Sequence, residues 1–389
     1  MKSNSLIFAL IAIYSLGISL YSHANNLKGT AKNEFSTIIR LADNEEFDSA
    51  IMRTNPLIRI FQSTPVAERA SIKAEEYNAF RFLVTLYGIK NDTTNTLHSF
   101  KGLMAHGFNN YKSLEEKSFN CIRQTNYFNH VKDSLRNIYD YIFILQNSPK
   151  YDKTESVSEL NKLDFQTMKV SNAEHLRKYF NLDSVAGNGN EIERIKRVMS
   201  FVHNTIPHDG NHEVPPFKTW EELVKKTRAA GTGAHCGILA ELLADCYKAI
   251  GIPAKRVICL PKTYINDCHS IVSVWDKDTG KWIWMDPTNE AYVMDQQGNA
   301  LGILEVRERL IDNLPLKINS DANWNHKSSV VIEDYIYNYM AKNLYYLKFF
   351  VLEHTVYLAP EGEPPANIDI SEGAIISHND NFFKSLAHK

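Results

Sequence analysis

The sequence carries almost no surplus charge. Its 43 Lys and Arg stand against 45 Asp and Glu, a net charge of −2, without the basic excess of a nucleic-acid binder. It has no Lys/Arg block, internal repeat or low-complexity tract, which leaves neither a solenoid nor a polyelectrolyte tail to consider. Cysteine is scarce: five in 389 residues cannot build a disulfide scaffold, so a hydrophobic core must hold the fold. No H-E-x-x-H pattern occurs, and His203, His208 and His212 are irregularly spaced, which reads as solvated loop rather than a metal site. The acidic stretch Asp276-Lys277-Asp278-Thr279-Gly280 lacks the remaining ligands of a calcium loop and reads as a turn. Neither a metal nor a cofactor is expected. Apolar residues at 44% and charged residues at 23% are ordinary for a globular protein.

The N-terminus is set apart. Lys2 precedes an apolar run over 6–20, and Ser22-His23-Ala24 is a small-x-small cleavage signal. The run is short for a bilayer span, and no later stretch is long and apolar enough for one. A signal peptide cut after Ala24 is therefore expected, placing the protein in a periplasm or outside the cell without stable membrane insertion. In an oxidising compartment an odd cysteine count leaves one thiol over. Cys259 and Cys268 flank the loop 260–267 and are a candidate pair, while the pairing of Cys121 and Cys246 stays open.

The length calls for two or three packed units. Residues 25–155 read as helical: Tyr77, Phe80, Leu83 and Leu86, and then Ile138, Tyr139, Tyr141, Ile142 and Leu145, recur at helical intervals. Pro149 and the polar stretch 150–156 suggest a soft boundary near 155. The second region, 156–300, opens on a helix with Leu176 and Phe180. Asn190 can cap a helix striped by Ile192, Ile195, Val198, Met199 and Val202, which Pro207 ends. Thr219 with Glu222 resembles a capping box. A central helix runs over 236–250, stopped by Gly251 and Pro253. Strand-like runs follow at 255–260, 269–275 and 281–285. Beyond 301 the chain is expected to be mostly helical, notably over 330–352.

One stretch concentrates the chemistry: Gly231-Thr232-Gly233-Ala234-His235-Cys236-Gly237-Ile238-Leu239-Ala240-Glu241. It puts a cysteine at a helix start, where unpaired N–H groups favour an anion. His269 follows 33 residues on and opens a strand; Asp286 lies 17 residues further and closes another. A thiol, an imidazole and a carboxylate in that setting are a nucleophile, its base and the group that orients the base. If Trp275 lies opposite Gly280, then His269 lies opposite Asp286, on one face of the hairpin. Gly233 and Gly237 would leave room for a substrate backbone. The Cys236 N–H is the natural oxyanion donor, with Trp220 a weaker candidate for a second. Trp282 and Trp284 share the face of Asp286, either shielding it or packing the sheet. Cys246 falls on the apolar stripe and reads as core.

Three blocks together resemble the transglutaminase-like superfamily of cysteine enzymes: the cysteine helix from Gly233; Gly251-Ile252-Pro253-Ala254-Lys255-Arg256-Val257, similar to a "GIPAR-V" step; and Trp282-Ile283-Trp284-Met285-Asp286-Pro287-Thr288, similar to a "W-x-x-x-DPT" ending. The resemblance runs from about Glu191 to Gly298. It implies an α+β, papain-like core, with helices packed on an antiparallel sheet and helical regions flanking it. It further implies a Cys236-His269-Asp286 triad that attacks an amide of a peptide or protein through a thioester. Ser270, Ser273 and His235 depart from the usual pattern, which bears on substrate preference. Hydrolysis is the favoured outcome. Glutamine crosslinking, acyl transfer of the arylamine N-acetyltransferase kind, and a non-catalytic peptide- or glycan-binding protein are the alternatives.

Overall fold

A computed structural model of the protein describes residues 20–65, 69–149, 173–263, 267–351, 354–360 and 375–377. The expected signal segment lies outside the described residues up to position 19, and 20–24 open the first helix, Leu20–Asp43. No helix among the described residues is long and apolar enough to cross a membrane. The chain divides into two compact units between Asp140 and Tyr141.

The first unit is built of helices Leu20–Asp43, Phe47–Ser63, Lys73–Ile89, Thr93–Ala105 and Asn126–Tyr139. Asp92 and Thr125 cap the last two through their side chains. Phe100, Phe119 and Phe128 are buried at its centre, with Phe100 edge-on to Phe119 at 5.3 Å. Position 155, the expected boundary, lies outside the described residues, and the division falls earlier. The apolar run 138–145, read as one helix, is broken at Asp140, whose ψ of 84° is not helical. Asn126–Tyr139 serves the first core, while Tyr141–Gln146 buries Leu145 in the core of the second unit.

The second unit is an α+β fold around a six-stranded sheet ordered β10-β9-β8-β1-β2-β3. Its strands are β1 (Ala254–Leu260), β2 (His269–Asp276), β3 (Lys281–Met285), β8 (Tyr346–Val351), β9 (His354–Leu358) and β10 (Ile375–Ser377). All neighbouring pairs are antiparallel except β9 with β10. Between β3 and β8 lie two short antiparallel pairs, β4 (Val293–Met294) with β5 (Lys317–Ile318) and the hairpin β6 (Asn323–Trp324) with β7 (Ser328–Ser329).

Alternation along the strands sends Val272, Val274, Ile283 and Met285 to one face. There they pack on the helices Glu191–Thr205, Trp220–Ala230 and Cys236–Ala249. Asn190 caps the first of these, accepting the Glu193 N–H at 3.0 Å. Thr219 caps the second through the Glu222 N–H, but Glu222 returns to the Lys218 N–H, so the capping box is shifted by one residue. Gly251 ends the third with φ +81°, a conformation that favours glycine. Val257, Cys259, Ile271, Trp282 and Trp284 face the other way. They are covered by helix Ile303–Ile311 and by the helical stretch that includes Tyr335, Ile336 and Met340.

Among the described residues beyond 301, the chain is not mostly helical: helix ends at Asn343, and Tyr346–Val351 is a strand paired with β1, Leu347 opposite Cys259. The i, i+4 apolar spacing of 332–347 is compatible with helix, but β1 offers an open edge of backbone donors and acceptors, and strand pairing there satisfies both chains.

The hairpin register also differs from the expected one. Asp276 pairs with Lys281 and Trp275 with Trp282, because Gly280 lies inside the turn with φ +66° instead of opening the strand. The slip is by two residues, so it preserves which side chains share a face. Asp286 is displaced along the sheet from His269 by one diagonal, within side-chain reach.

Candidate active site

Cys236 is the first residue of the 14-residue helix Cys236–Ala249. His235 precedes it in extended conformation and makes no side-chain cap, so no side chain of that residue takes up the first amides of the helix. Burial alone would push the thiol up. Hydrogen bonds from His208 and His269, the positive charge of His269 and the N–H of Ser270 outweigh it and bring the thiol down to about 5. A small residue at 270, one of the departures from the family pattern, thus sits where its backbone holds the sulfur. Elsewhere burial pushes the thiols of Cys246, Cys259 and Cys268 the opposite way.

His269 is 3% exposed, with Nε2 2.7 Å from Asp286 Oδ2. That engagement leaves Nδ1 as the ring nitrogen for the sulfur. Burial disfavours the imidazolium, but the Asp286 charge and hydrogen bond, then the contact with Cys236, raise the ring to about 10. Asp286 is fully buried, and burial resists its ionisation too. His269, Tyr335 and Asn289 overcome this and hold the carboxyl down to about 2. Oδ2 accepts the Tyr335 hydroxyl at 2.6 Å and the Asn289 amide at 3.0 Å, while Oδ1 accepts the Thr288 N–H at 2.8 Å. The Asp-Pro-Thr-Asn run folds back on its own carboxylate, which is why the acid stands just before that turn.

One of these partners was not legible as a site residue. Tyr335 comes from the region beyond 301, and the Trp284 indole N–H donates to its hydroxyl at 3.3 Å. Trp284 thus packs the sheet and braces the carboxylate indirectly. Tyr335–Met340 is a π-helical turn, a wide coil often found at functional sites. It also brings Tyr339 onto the His269 ring, edge-on at 5.4 Å.

His208 is the larger surprise, since its spacing read as solvated loop. Backbone bonds Ala234 N–H to Pro207 O and Asp209 N–H to Ala234 O lay the 207–209 segment alongside the cysteine loop. Gly233 makes this possible: a Cβ there would lie 2.0 Å from Pro207 O. The glycine thus serves packing between two chain segments, not substrate approach. His203 and His212 are engaged elsewhere, with Pro287 O and with Asp209. Among the described residues no group of His, Cys, Asp or Glu could hold a metal ion.

Two further expectations are corrected. The Trp220 indole N–H donates to Asp245 at 2.9 Å, so it is not turned to the thiol as an oxyanion donor. All five cysteines are free: Cys259 is buried in the sheet core, and Cys268 lines the cleft over Cys236. That cleft has a volume of about 860 Å³, with His208, Cys236, His269, Asn289 and Tyr335 in its wall.

A cysteine opening a helix, packed on an antiparallel sheet whose strand ends carry a histidine and an aspartate, defines a transglutaminase-like cysteine-enzyme core. Residues 178–287 match the family model of the transglutaminase-like superfamily. No curated protein sequence matches the chain. Among solved structures, it is similar to a Cytophaga hutchinsonii protein provisionally described as a cysteine protease, at 14% identity and a TM-score of 0.24. The match covers 45% of this chain and 56% of the other, so this chain spans a little over half of that relative's length.

Proposed function

We propose that this protein is an exported thiol hydrolase of peptide or protein amides, with Cys236 as nucleophile, His269 as proton carrier and Asp286 as the group that orients the ring. The observation that carries the reading is the chain of contacts from the sulfur to His269 and from His269 Nε2 to Asp286 at 2.7 Å. The thiolate attacks the carbonyl carbon, a C–S bond forms, and the carbonyl electron pair moves to oxygen. Collapse breaks the C–N bond as His269 hands its proton to the leaving amine. Water then attacks the thioester, His269 takes its proton, and the C–S bond breaks to restore thiolate and imidazolium. The Cys236 N–H supports the oxygen in both steps. Export rests on the signal-like 1–24 segment, and a mature protein beginning at Asn25 is its direct check.

The test is incubation of the full chain with denatured casein, with and without methylamine, followed by peptide mass spectrometry. New carboxyl termini that vanish in Cys236→Ala are expected, with few methylamide products. Methylamides in excess would convert the reading to acyl transfer. No Cys236-dependent product would leave a binding protein on an enzyme fold.

Tyr335→Phe removes one hydrogen bond to a buried carboxylate, an interaction of about 1.5–3 kcal/mol. Turnover is expected to fall about 10-fold to 100-fold, and the Asp286 carboxyl, which the Tyr335 hydroxyl helps hold down, is expected to titrate higher, so that acid unfolding sets in at a higher pH. Unchanged turnover and an unchanged acid limb of stability would show that Tyr335 only fills space.

A further inference from the structure

Trp324 and Asn325 grip His208 from the β6–β7 hairpin. Asn325 accepts the His208 N–H at 2.7 Å and donates its own amide to the His208 carbonyl at 2.9 Å. The turn that allows this has φ +53° at Asn325 and +57° at His326. The Trp324 indole N–H lies 3.2 Å from His208 Nδ1. An indole nitrogen only donates, so Nδ1 must accept, and the ring proton sits on Nε2. Nε2 is then the ring atom left for the sulfur. Two imidazoles thus flank Cys236 in opposite roles: His269 is tied to a carboxylate that favours its charged form, and His208 is tied to an indole that fixes a neutral donor tautomer.

We infer that His208 is a catalytic residue of the same site, its Nε2–H being the side-chain donor of the oxyanion hole beside the Cys236 N–H. The inference rests on Cys236 being the nucleophile. In the resting site the Nε2–H points at the sulfur. When the C–S bond forms, the new oxyanion lies one bond from the attacked carbon and next to that sulfur, within reach of the same donor. His208 keeps its proton throughout, because Trp324 occupies the only other ring nitrogen. His269 carries out the proton transfers. The cleft takes a substrate carbonyl between the two rings, and its wall includes His208, Cys236, His269 and Trp324.

The test separates a reaction that makes an oxyanion from one that does not. Acylation of the full chain by p-nitrophenyl acetate passes through a tetrahedral oxyanion. Alkylation by iodoacetamide displaces iodide and puts no charge on oxygen. In His208→Ala the acylation rate is expected to fall about 10²-fold to 10³-fold, the usual cost of one lost oxyanion donor, while the high-pH plateau of alkylation stays within about threefold. His208→Gln, which restores an N–H donor, is expected to recover part of the acylation rate. Unchanged acylation in His208→Ala, an equal fall in acylation and alkylation, or a Gln variant no better than Ala would overturn the inference while leaving Cys236 as nucleophile. Absence of any acetyl group on Cys236 in the unaltered chain would overturn the nucleophile assignment and the inference together.

Discussion

His269→Ala is expected to lower amide turnover by at least about 10³-fold and to return Cys236 to an ordinary thiol. Two losses combine. General acid–base transfer is worth about 10²–10⁴-fold on its own. The thiol also loses a hydrogen bond and a neighbouring positive charge, two of the influences that hold it near 5 against burial. Without them it moves toward or beyond the free value of about 8.5, and only a few per cent is thiolate at neutral pH. In the unaltered chain the rate should rise as pH passes about 5, where the sulfur ionises, and fall as pH passes about 10, where the imidazolium loses the proton the leaving amine needs. The variant should lose the acid limb and follow thiol ionisation upward. Initial rates against pH for both chains check this, and an acid limb retained near 5 in the variant would remove His269 from the mechanism.

Asp286→Ala is expected to damage stability as well as rate. The carboxylate is fully buried and is met by His269, Tyr335, Asn289 and the Thr288 N–H. Its removal leaves a buried imidazolium and several donors unmatched, at a cost of about 3–5 kcal/mol for a broken buried pair. The rate should fall about 10⁴-fold, as when an orienting carboxylate is lost elsewhere. The pH dependence has a definite sign. The folded carboxyl is held at about 2, below its unfolded value of about 3.9, so its contribution is present above 3.9 and fades as pH falls toward 2. The folded imidazole is raised to about 10, above its unfolded value of about 6.5, so its contribution is full below 6.5 and fades as pH rises toward 10. The stability gap between the two chains should be widest from about pH 4 to 6.5 and narrow on both sides. Urea midpoints measured across pH test it, and a gap that is flat with pH would show that the two groups are not electrostatically coupled in the fold.

What could be read from the sequence was local. Asn190 and Thr219 cap helices through their own neighbours, and Gly251 ends one by its backbone freedom. The cysteine helix and β1, β2 and β3 stand within a residue or two of their expected ends. The set Cys236, His269 and Asp286 was legible because each falls at the end of an element that local pattern defines. What escaped was non-local. Nothing around His208 signals that Gly233 lets its backbone lie against the cysteine loop, or that an indole 116 residues later fixes its tautomer. Tyr335 reaches Asp286 across 49 residues from a turn of unusual width. The strand Tyr346–Val351 looked helical because apolar spacing does not register the open edge of β1. The two-residue hairpin slip came from Gly280 serving the turn, and it was harmless because parity, not register, decides the face.

The most direct measurement is the rate of iodoacetamide labelling at Cys236 in the unaltered chain as a function of pH, with the labelled peptide identified by mass. Half-maximal reactivity near pH 5 is expected, with a plateau through neutral pH. A midpoint near 8.5, or a Cys236 that resists labelling because another sulfur has captured it, would contradict the ion pair on which the proposed chemistry depends.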